Sequence, residues 1–247
     1  MAVLLKNLLA RAPKTEDLEA ISELVIACDT AEFGVADSTM EDLLSNWQQS
    51  GFNLAADAWV ILRSSGVSEA RRDSGVSQAD KSHITTKEQL VAFACVWHRD
   101  HEQIYTLICV HPEYRNRGIG TLLLRLVEER ARLHALHARP GTRVTLSSTV
   151  SSGNEQAKRL FEREGYSPVR QFWRIAIEID EALNASSQKG KLQVELDVES
   201  LRLYGARQFY ERDGIYVVRQ YTTYEKELRA GEDPLLDGEL NTLSYAG

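Results

Sequence analysis

Val110-His111-Pro112-Glu113-Tyr114-Arg115-Asn116-Arg117-Gly118-Ile119-Gly120-Thr121 is the stretch on which the reading of this chain turns. Residues 104–110 before it form an apolar run that reads as a buried strand. After it, Thr121-Leu122-Leu123-Leu124-Arg125-Leu126-Val127-Glu128-Glu129-Arg130-Ala131 carries the pattern of an amphipathic helix. A strand, a turn with two glycines and flanking arginines, and a helix start form an arrangement suited to a diphosphate. The first N–H groups of a helix lack intrahelical acceptors and carry partial positive charge. Glycine adopts φ > 0 without a Cβ penalty and lets the main chain approach a ligand.

Spacing separates this loop from two other phosphate binders. The lysine-bearing P-loop has four residues between its glycines, followed by Gly-Lys-Ser/Thr; here one residue separates Gly118 from Gly120, and Thr121 follows. The dinucleotide fingerprint has a third glycine three residues on, where Leu123 stands. What remains is Arg115-x-x-Gly118-x-Gly120 after a Val-x-Pro. It resembles the acyl-CoA loop of the GNAT superfamily of N-acetyltransferases, which holds the CoA diphosphate. Downstream, Asn154-x-x-Ala157-x-x-Leu160-Phe161-x-x-x-Gly165-Tyr166 is similar to the second motif of that family, in which the Asn near the helix start contacts CoA. A helix N-cap is an equally sound role for Asn154 and is compatible with the first.

The 247 residues suffice for one good core and an appendage. A formal charge of −7 gives no basic face for nucleic acid, so the arginines near the loop are a local feature. The longest apolar runs fall far short of a bilayer span, and the N-terminus lacks the flanks of a signal peptide; the expectation is a cytoplasmic protein without membrane contact. Cys28, Cys95 and Cys109 are widely spaced in sequence, so buried reduced thiols and no metal site are expected.

The element order reads as a strand over 4–12, a helix capped by Thr15, and a second helix opened by the capping box Ser38-Thr39-Met40-Glu41. Strands follow over 58–62, 90–98 and 104–110, then the loop and its helix. A strand over 145–150, a helix from Asn154, and a strand over 170–179 complete the series. This order resembles the GNAT fold over residues 1–180. The fold class expected is α/β (α+β), with a mixed, mostly antiparallel sheet flanked by helices. Residues 64–88, rich in Ser, Gly and charge, read as a disordered insertion, and residues 229–247 as a flexible acidic tail.

A repeat with a period of 49 residues aligns 160–172 on 209–221 without gaps; six of these thirteen pairs are identical, including Val-Arg-Gln. Residues 192–228 therefore read as a β-α-β half-repeat, similar to the end of a second copy in tandem GNAT proteins such as mycothiol synthase. It has no counterpart of the glycine loop, and Leu203 stands where Asn154 would be. Such a unit exposes an apolar sheet face and has to pack on the first domain, within the chain or across a homodimer.

The resemblance implies an N-acyltransferase that moves an acetyl group from acetyl-CoA, the cosubstrate, to a primary amine of a small molecule or peptide. It implies diphosphate contacts from Arg115, Asn116, Arg117, Gly118, Ile119, Gly120 and Thr121. It further implies a free strand edge at Ile108, Cys109 and Val110 for the pantetheine amides, and Asn154 as a further contact. The sequence departs from the family where many members carry a tyrosine acid: here that position is Phe161. Ile104, Thr106 and Thr149 occupy places where carboxylates or histidines are common. Tyr105, Glu102, His98 and Tyr166 remain as donors or acceptors, and no catalytic residue is assigned. Asp29, Glu32 and Asp37 could attract the amine, although solvated surface charge accounts for them as well. The alternative is an acyl-CoA-binding sensor or scaffold without turnover.

Overall fold

The computed structural model describes residues 3–5, 8–36, 40–48, 51–64, 88–177, 192–196 and 215–232. Most of the expected insertion, Ser38 and Thr39 of the capping box, Asp37, the helix of the half-repeat and all but the start of the tail lie outside the described residues. The chain divides into two compact units. The first comprises Met1–Ala31, Val35–Cys95 and Ile108–Val127; the second comprises Glu32–Gly34, Val96–Leu107 and Glu128–Gly247.

In the first unit the expected opening strand is two short ones, β1 (Val3–Leu5) and β2 (Leu8–Arg11), paired antiparallel. They are followed by α1 (Leu18–Phe33), α2 (Met40–Trp47), α3 (Leu54–Asp57) and β3 (Ala58–Ser64). The unit also holds most of β4 (Glu88–Arg99), the end of β5 (Gln103–Val110) and the start of α4 (Ile119–Ala135). Its strands run in the order β1-β2-β3-β4, with β2 and β4 antiparallel to β3. Val91, Ala92, Phe93, Ala94 and Cys95 are each no more than 1% exposed, so both faces of β4 are covered. Ile21, Leu24, Val60, Ile61, Leu123 and Leu124 complete the core around it.

Thr15 is not the cap of the first helix. A 3-10 turn, Thr15–Asp17, precedes α1, with Lys14 at its N-cap. The Asp17 carboxylate accepts from the Lys14 N–H at 2.7 Å and from the Arg11 guanidinium at 2.6 and 2.8 Å. A charged acceptor reaching back satisfies the turn better than a hydroxyl at its first residue. The Arg11 hydrogen bonds hold the Asp17 carboxyl below the usual carboxylate range.

The second unit holds the ends of β4 and α4, the start of β5, β6 (Val144–Ser151), α5 (Glu155–Arg163), β7 (Ser167–Ile177), β8 (Leu192–Leu196) and β9 (Ile215–Arg229). The strand order is β4-β5-β6-β9-β7-β8. β5 pairs with β6 in parallel over Gln103 to Thr106, whereas β9 is antiparallel to both β6 and β7. Thr222 sits opposite Val150 on one side and Gln171 on the other. β8 pairs with β7, and β9 separates β7 from β6, all within this chain.

Side chains fasten β9 further. The Arg143 guanidinium donates to Glu225 at 2.6 Å and Glu227 at 2.9 Å. Lys226 reaches both oxygens of Glu128 at 2.8 Å and the Glu164 carbonyl at 2.9 Å. Arg229 donates to the carbonyls of Thr142, Ala135 and Arg139, closing the end of α4. The fold is mixed α/β with a mostly antiparallel sheet flanked by helices. Among the described residues no helix is long and apolar enough to cross a membrane.

Candidate functional site

The glycine loop lies wholly in the first unit. β5 ends at Val110, and His111 caps a 3-10 turn, Pro112–Tyr114, its Nδ1 accepting from the Glu113 N–H at 3.3 Å. Proline inside this first turn costs nothing, because its missing N–H would have had no partner. Two residues then take left-handed backbone: Asn116 at φ 61° and Gly118 at φ 80°. Asparagine is among the few side chains that visit this region readily. Alternation of hand along successive residues turns their N–H groups towards one point, the geometry of an anion nest.

Among the described residues, the N–H groups of Asn116, Arg117, Gly118, Ile119 and Gly120 donate to no protein atom; the first helical bond runs from the Leu122 N–H to the Gly118 carbonyl at 3.0 Å. No acidic residue lies in the first turn of α4. The two glycines have different reasons to be there. Gly118 has the positive φ, and a Cβ placed on it would meet nothing within 4 Å. Gly120 lies within α4, and positive φ plays no part there. What glycine contributes there is the lack of a Cβ that could stand between the helix start and a close ligand.

The arginines are held by the loop itself. Arg115 Nε donates to the Val110 carbonyl at 3.2 Å, and Arg117 Nη2 to the Glu113 carbonyl at 2.9 Å. The Arg117 guanidinium lies 5.0 Å from the centre of the Tyr114 ring. Tyr114, buried to 4% exposure, is the anchor that sequence reasoning missed. Its hydroxyl accepts from Arg63 Nη1 at 2.7 Å and donates to Gln89 Oε1 at 3.1 Å. An aromatic two residues after the proline was the available signal. Tyr114→Phe is expected to cost about 1–2 kcal/mol through the two lost hydrogen bonds, a drop of a few degrees in Tm checked by thermal denaturation.

Cys109 is buried, with Ile108 and Val110 half-buried beside it. Parallel pairing of β5 with β6 ends at Thr106, so these three residues have no strand partner on that side among the described residues. The hydrogen bond to Cys28, together with burial, pushes the Cys109 thiol well above its usual range, and Cys95 adds to the effect. Three cysteines far apart in sequence are thus close neighbours, all reduced and buried.

Asn154, in the second unit, is the N-cap of α5: its Oδ1 accepts from the Ala157 N–H at 3.0 Å. Its Nδ2 donates to Glu32 Oε1 at 2.6 Å. Glu32 is therefore engaged by the protein and is not a solvated surface charge. Phe161 is 3% exposed and packs against Tyr166 edge-on at 5.1 Å and against Tyr224 face-on at 5.7 Å. The Tyr166 hydroxyl is buried with no partner among the described residues, and burial drives its pKa far above the ordinary phenol value. Tyr224 donates to Glu162 at 3.0 Å; burial and that hydrogen bond push it up to about 12. Tyr105 donates to Gln103 at 3.0 Å.

Glu102, buried to 3% exposure, accepts two bonds from Arg139, at 2.5 and 2.9 Å. Arg139 holds its carboxyl below the usual range, which makes it a structural anion and a poor base. Arg139→Ala, leaving a buried acceptor short of donors, is expected to cost about 2 kcal/mol. A depressed carboxyl contributes stability above its unfolded pKa and loses it as the pH falls through the folded value. The difference in Tm between Arg139→Ala and the parent should therefore be full at neutral pH and vanish in acid.

The expectation of no metal-ligand set rested on sequence spacing. The structure brings His98, His101 and His134 together, their ligand atoms within 4.8 Å of one another.

The fold is thus a mixed α/β one in which β5 feeds the start of α4 through a left-handed Asn-x-Gly turn. Residues 79–168 match the family model described as Acetyltransferase (GNAT) domain. It is 33% identical over 104 residues to a mycothiol acetyltransferase of Pseudarthrobacter chlorophenolicus, a match covering 42% of this chain and 29% of that protein. With a mycothiol acetyltransferase of Saccharopolyspora erythraea the identity is 32% over 114 residues, covering 45% and 34%. The match thus spans about a third of the length of these curated relatives. Among solved structures, a GCN5-related N-acetyltransferase from Sphaerobacter thermophilus superposes with a TM-score of 0.71 at 20% identity, covering 94% of this chain and 99% of that one. The protein yncA of Salmonella typhimurium, solved with its cofactor acetyl-CoA, gives 0.50 at 13% identity, covering 91% and 95%.

Proposed function

We propose that this chain transfers an acetyl group from acetyl-CoA to a primary amine. The observation that carries the proposal is the row of uncommitted N–H groups, Asn116 to Gly120, at the start of α4. They would bind the diphosphate, with Arg115, Arg117 and Thr121 beside them. The edge formed by Ile108, Cys109 and Val110 would pair with the pantetheine amides and offer an N–H to the developing oxyanion. The amine nitrogen attacks the thioester carbon, the C–S bond breaks, and CoA leaves as a thiolate. The proton shed by the amine passes through solvent. An activated thiolate departs without full protonation, so no acid residue is required. By the resemblance alone, Asn154 would be a further CoA contact. The acceptor is an amine of a small molecule or peptide, and the reaction is placed in the cytoplasm.

One observation favours a second reading, an acyl-CoA sensor without turnover: Phe161 is sealed between two tyrosines whose hydroxyls are withdrawn or committed. The two separate in one experiment, in which acetyl-CoA is offered with a panel of small amines, aminothiols and peptides while free thiol is recorded. Amine-dependent thiol release establishes the transferase. Saturable binding with no release over the panel establishes the sensor, and absence of binding overturns both.

A further inference from the structure

Four of the six histidines of the chain meet at one place in the second unit. His98 is the penultimate residue of β4, His101 lies in the turn between β4 and β5, His134 is in the last turn of α4, and His137 follows that helix. The rings of His98 and His101 are stacked 3.8 Å apart, His134 lies 4.5 Å from His98, and His137 lies 5.4 Å from His101.

Two independent features mark the turn. Asp100 and His101 take φ values of 52° and 61°, and the Glu102 N–H bonds back to the Arg99 carbonyl at 3.1 Å. Such a two-residue turn ordinarily carries Asn-Gly, because a Cβ is strained in both central places. Here the strain is accepted at the residue that delivers an imidazole. The second feature is that His101 Nδ1 is buried with no hydrogen-bond partner among the described residues. A buried nitrogen left without a partner is costly unless something outside the protein supplies one.

We infer that His98, His101 and His134 form a binding site for one divalent transition-metal ion of the zinc type. Three neutral imidazoles without a carboxylate or thiolate suit zinc, nickel, cobalt or copper, and they exclude the hard ions calcium and magnesium, which need oxygen ligands. Three protein ligands leave a further coordination position open to water. Bonds of about 2.1 Å place tetrahedral donors about 3.4 Å apart, so the present spread of up to 4.8 Å closes by a modest turn of the rings. His98 Nδ1 accepts a long 3.2 Å bond from the His101 N–H, which coordination would replace. His137, whose Nδ1 lies 3.1 Å from the Leu133 carbonyl, stands where it can steady the His101 ring. The ion would clamp the β4–β5 turn to the end of α4.

The full chain, purified without a histidine tag and stripped with a chelator, is titrated with zinc and, separately, with cobalt. One equivalent of zinc is expected by dialysis and elemental analysis, together with a visible cobalt absorption band. Tm should rise by roughly 5–10 °C at a hundredfold excess of metal over Kd. His134→Gln should weaken binding about tenfold or more, as loss of a metal-supporting group does. His101→Asn tolerates the left-handed backbone while removing the imidazole, so it should fold without metal and lose the Tm response. His111→Gln, at the cap before the glycine loop, should bind zinc as the parent does. Absence of saturable binding at one equivalent, or undiminished affinity in His101→Asn and His134→Gln, overturns the inference.

Discussion

Ending the chain after Asp180 is expected to abolish the soluble fold. β6 and β7 have no direct ladder; each is paired instead with β9, residue by residue, from Val144↔Arg229 to Ser151↔Tyr221 on one side and from Ser167↔Glu225 to Ile177↔Ile215 on the other. Removing β9 leaves two strand edges with unpaired main-chain groups, the arrangement most prone to aggregate. It also uncovers Phe161, whose ring is covered by Tyr224, and strips Lys226 from Glu128. A single substitution tests the same point with the chain length kept. Thr222, 2% exposed, sits between Val150 and Gln171, and proline there removes a ladder donor and clashes within a central strand. The cost is of order 3 kcal/mol or more, a large share of the stability of an ordinary domain. Soluble yield and circular dichroism check both changes. A truncated chain that stays soluble with native dichroism would show that β9 is dispensable to the sheet.

That insertion was the part of the fold least legible in the sequence. Periodicity identified β4, β5, β6, α4 and α5 as elements because each pattern is local. The similarity of residues 160–172 to 209–221 drew attention to the right strands, and Phe172 and Tyr221 are in fact paired and stacked at 5.1 Å. A repeat, however, carries no register, and nothing local says that β9 enters between β6 and β7. The same limit hid the side-chain clusters. The Asn154–Glu32 bond spans 122 residues, and Cys28 lies 82 residues from the Val110 carbonyl it meets at 3.4 Å. His98 and His134 likewise share no spacing that a motif would reveal. The loop was legible for the opposite reason. Its strand, turn and helix are contiguous, and its chemistry lies in main-chain groups whose exposure follows from helix geometry alone. Even there, the sequence could not divide the work between Gly118 and Gly120.

That division yields the other large effect. Gly120→Val is expected to weaken acetyl-CoA binding about 10- to 100-fold while leaving Tm within a degree or two. Gly120 lies in the first turn of α4 without positive φ, and valine is no worse a helix former than glycine, so the helix backbone itself tolerates the change. A branched side chain there would stand over the N–H groups of Ile119 and Gly120 and hold a diphosphate away. Each charge-assisted hydrogen bond lost is worth about 1.5–3 kcal/mol, which sets the fold-change. Gly118→Val should behave differently. Space for its Cβ is available, but φ 80° is strained for any branched side chain, so the cost falls on stability first. Titration calorimetry with acetyl-CoA and thermal denaturation on both variants separate the two roles. If Gly120→Val binds acetyl-CoA as tightly as the parent, the helix start is not where the diphosphate rests, and the proposed transfer loses its physical basis.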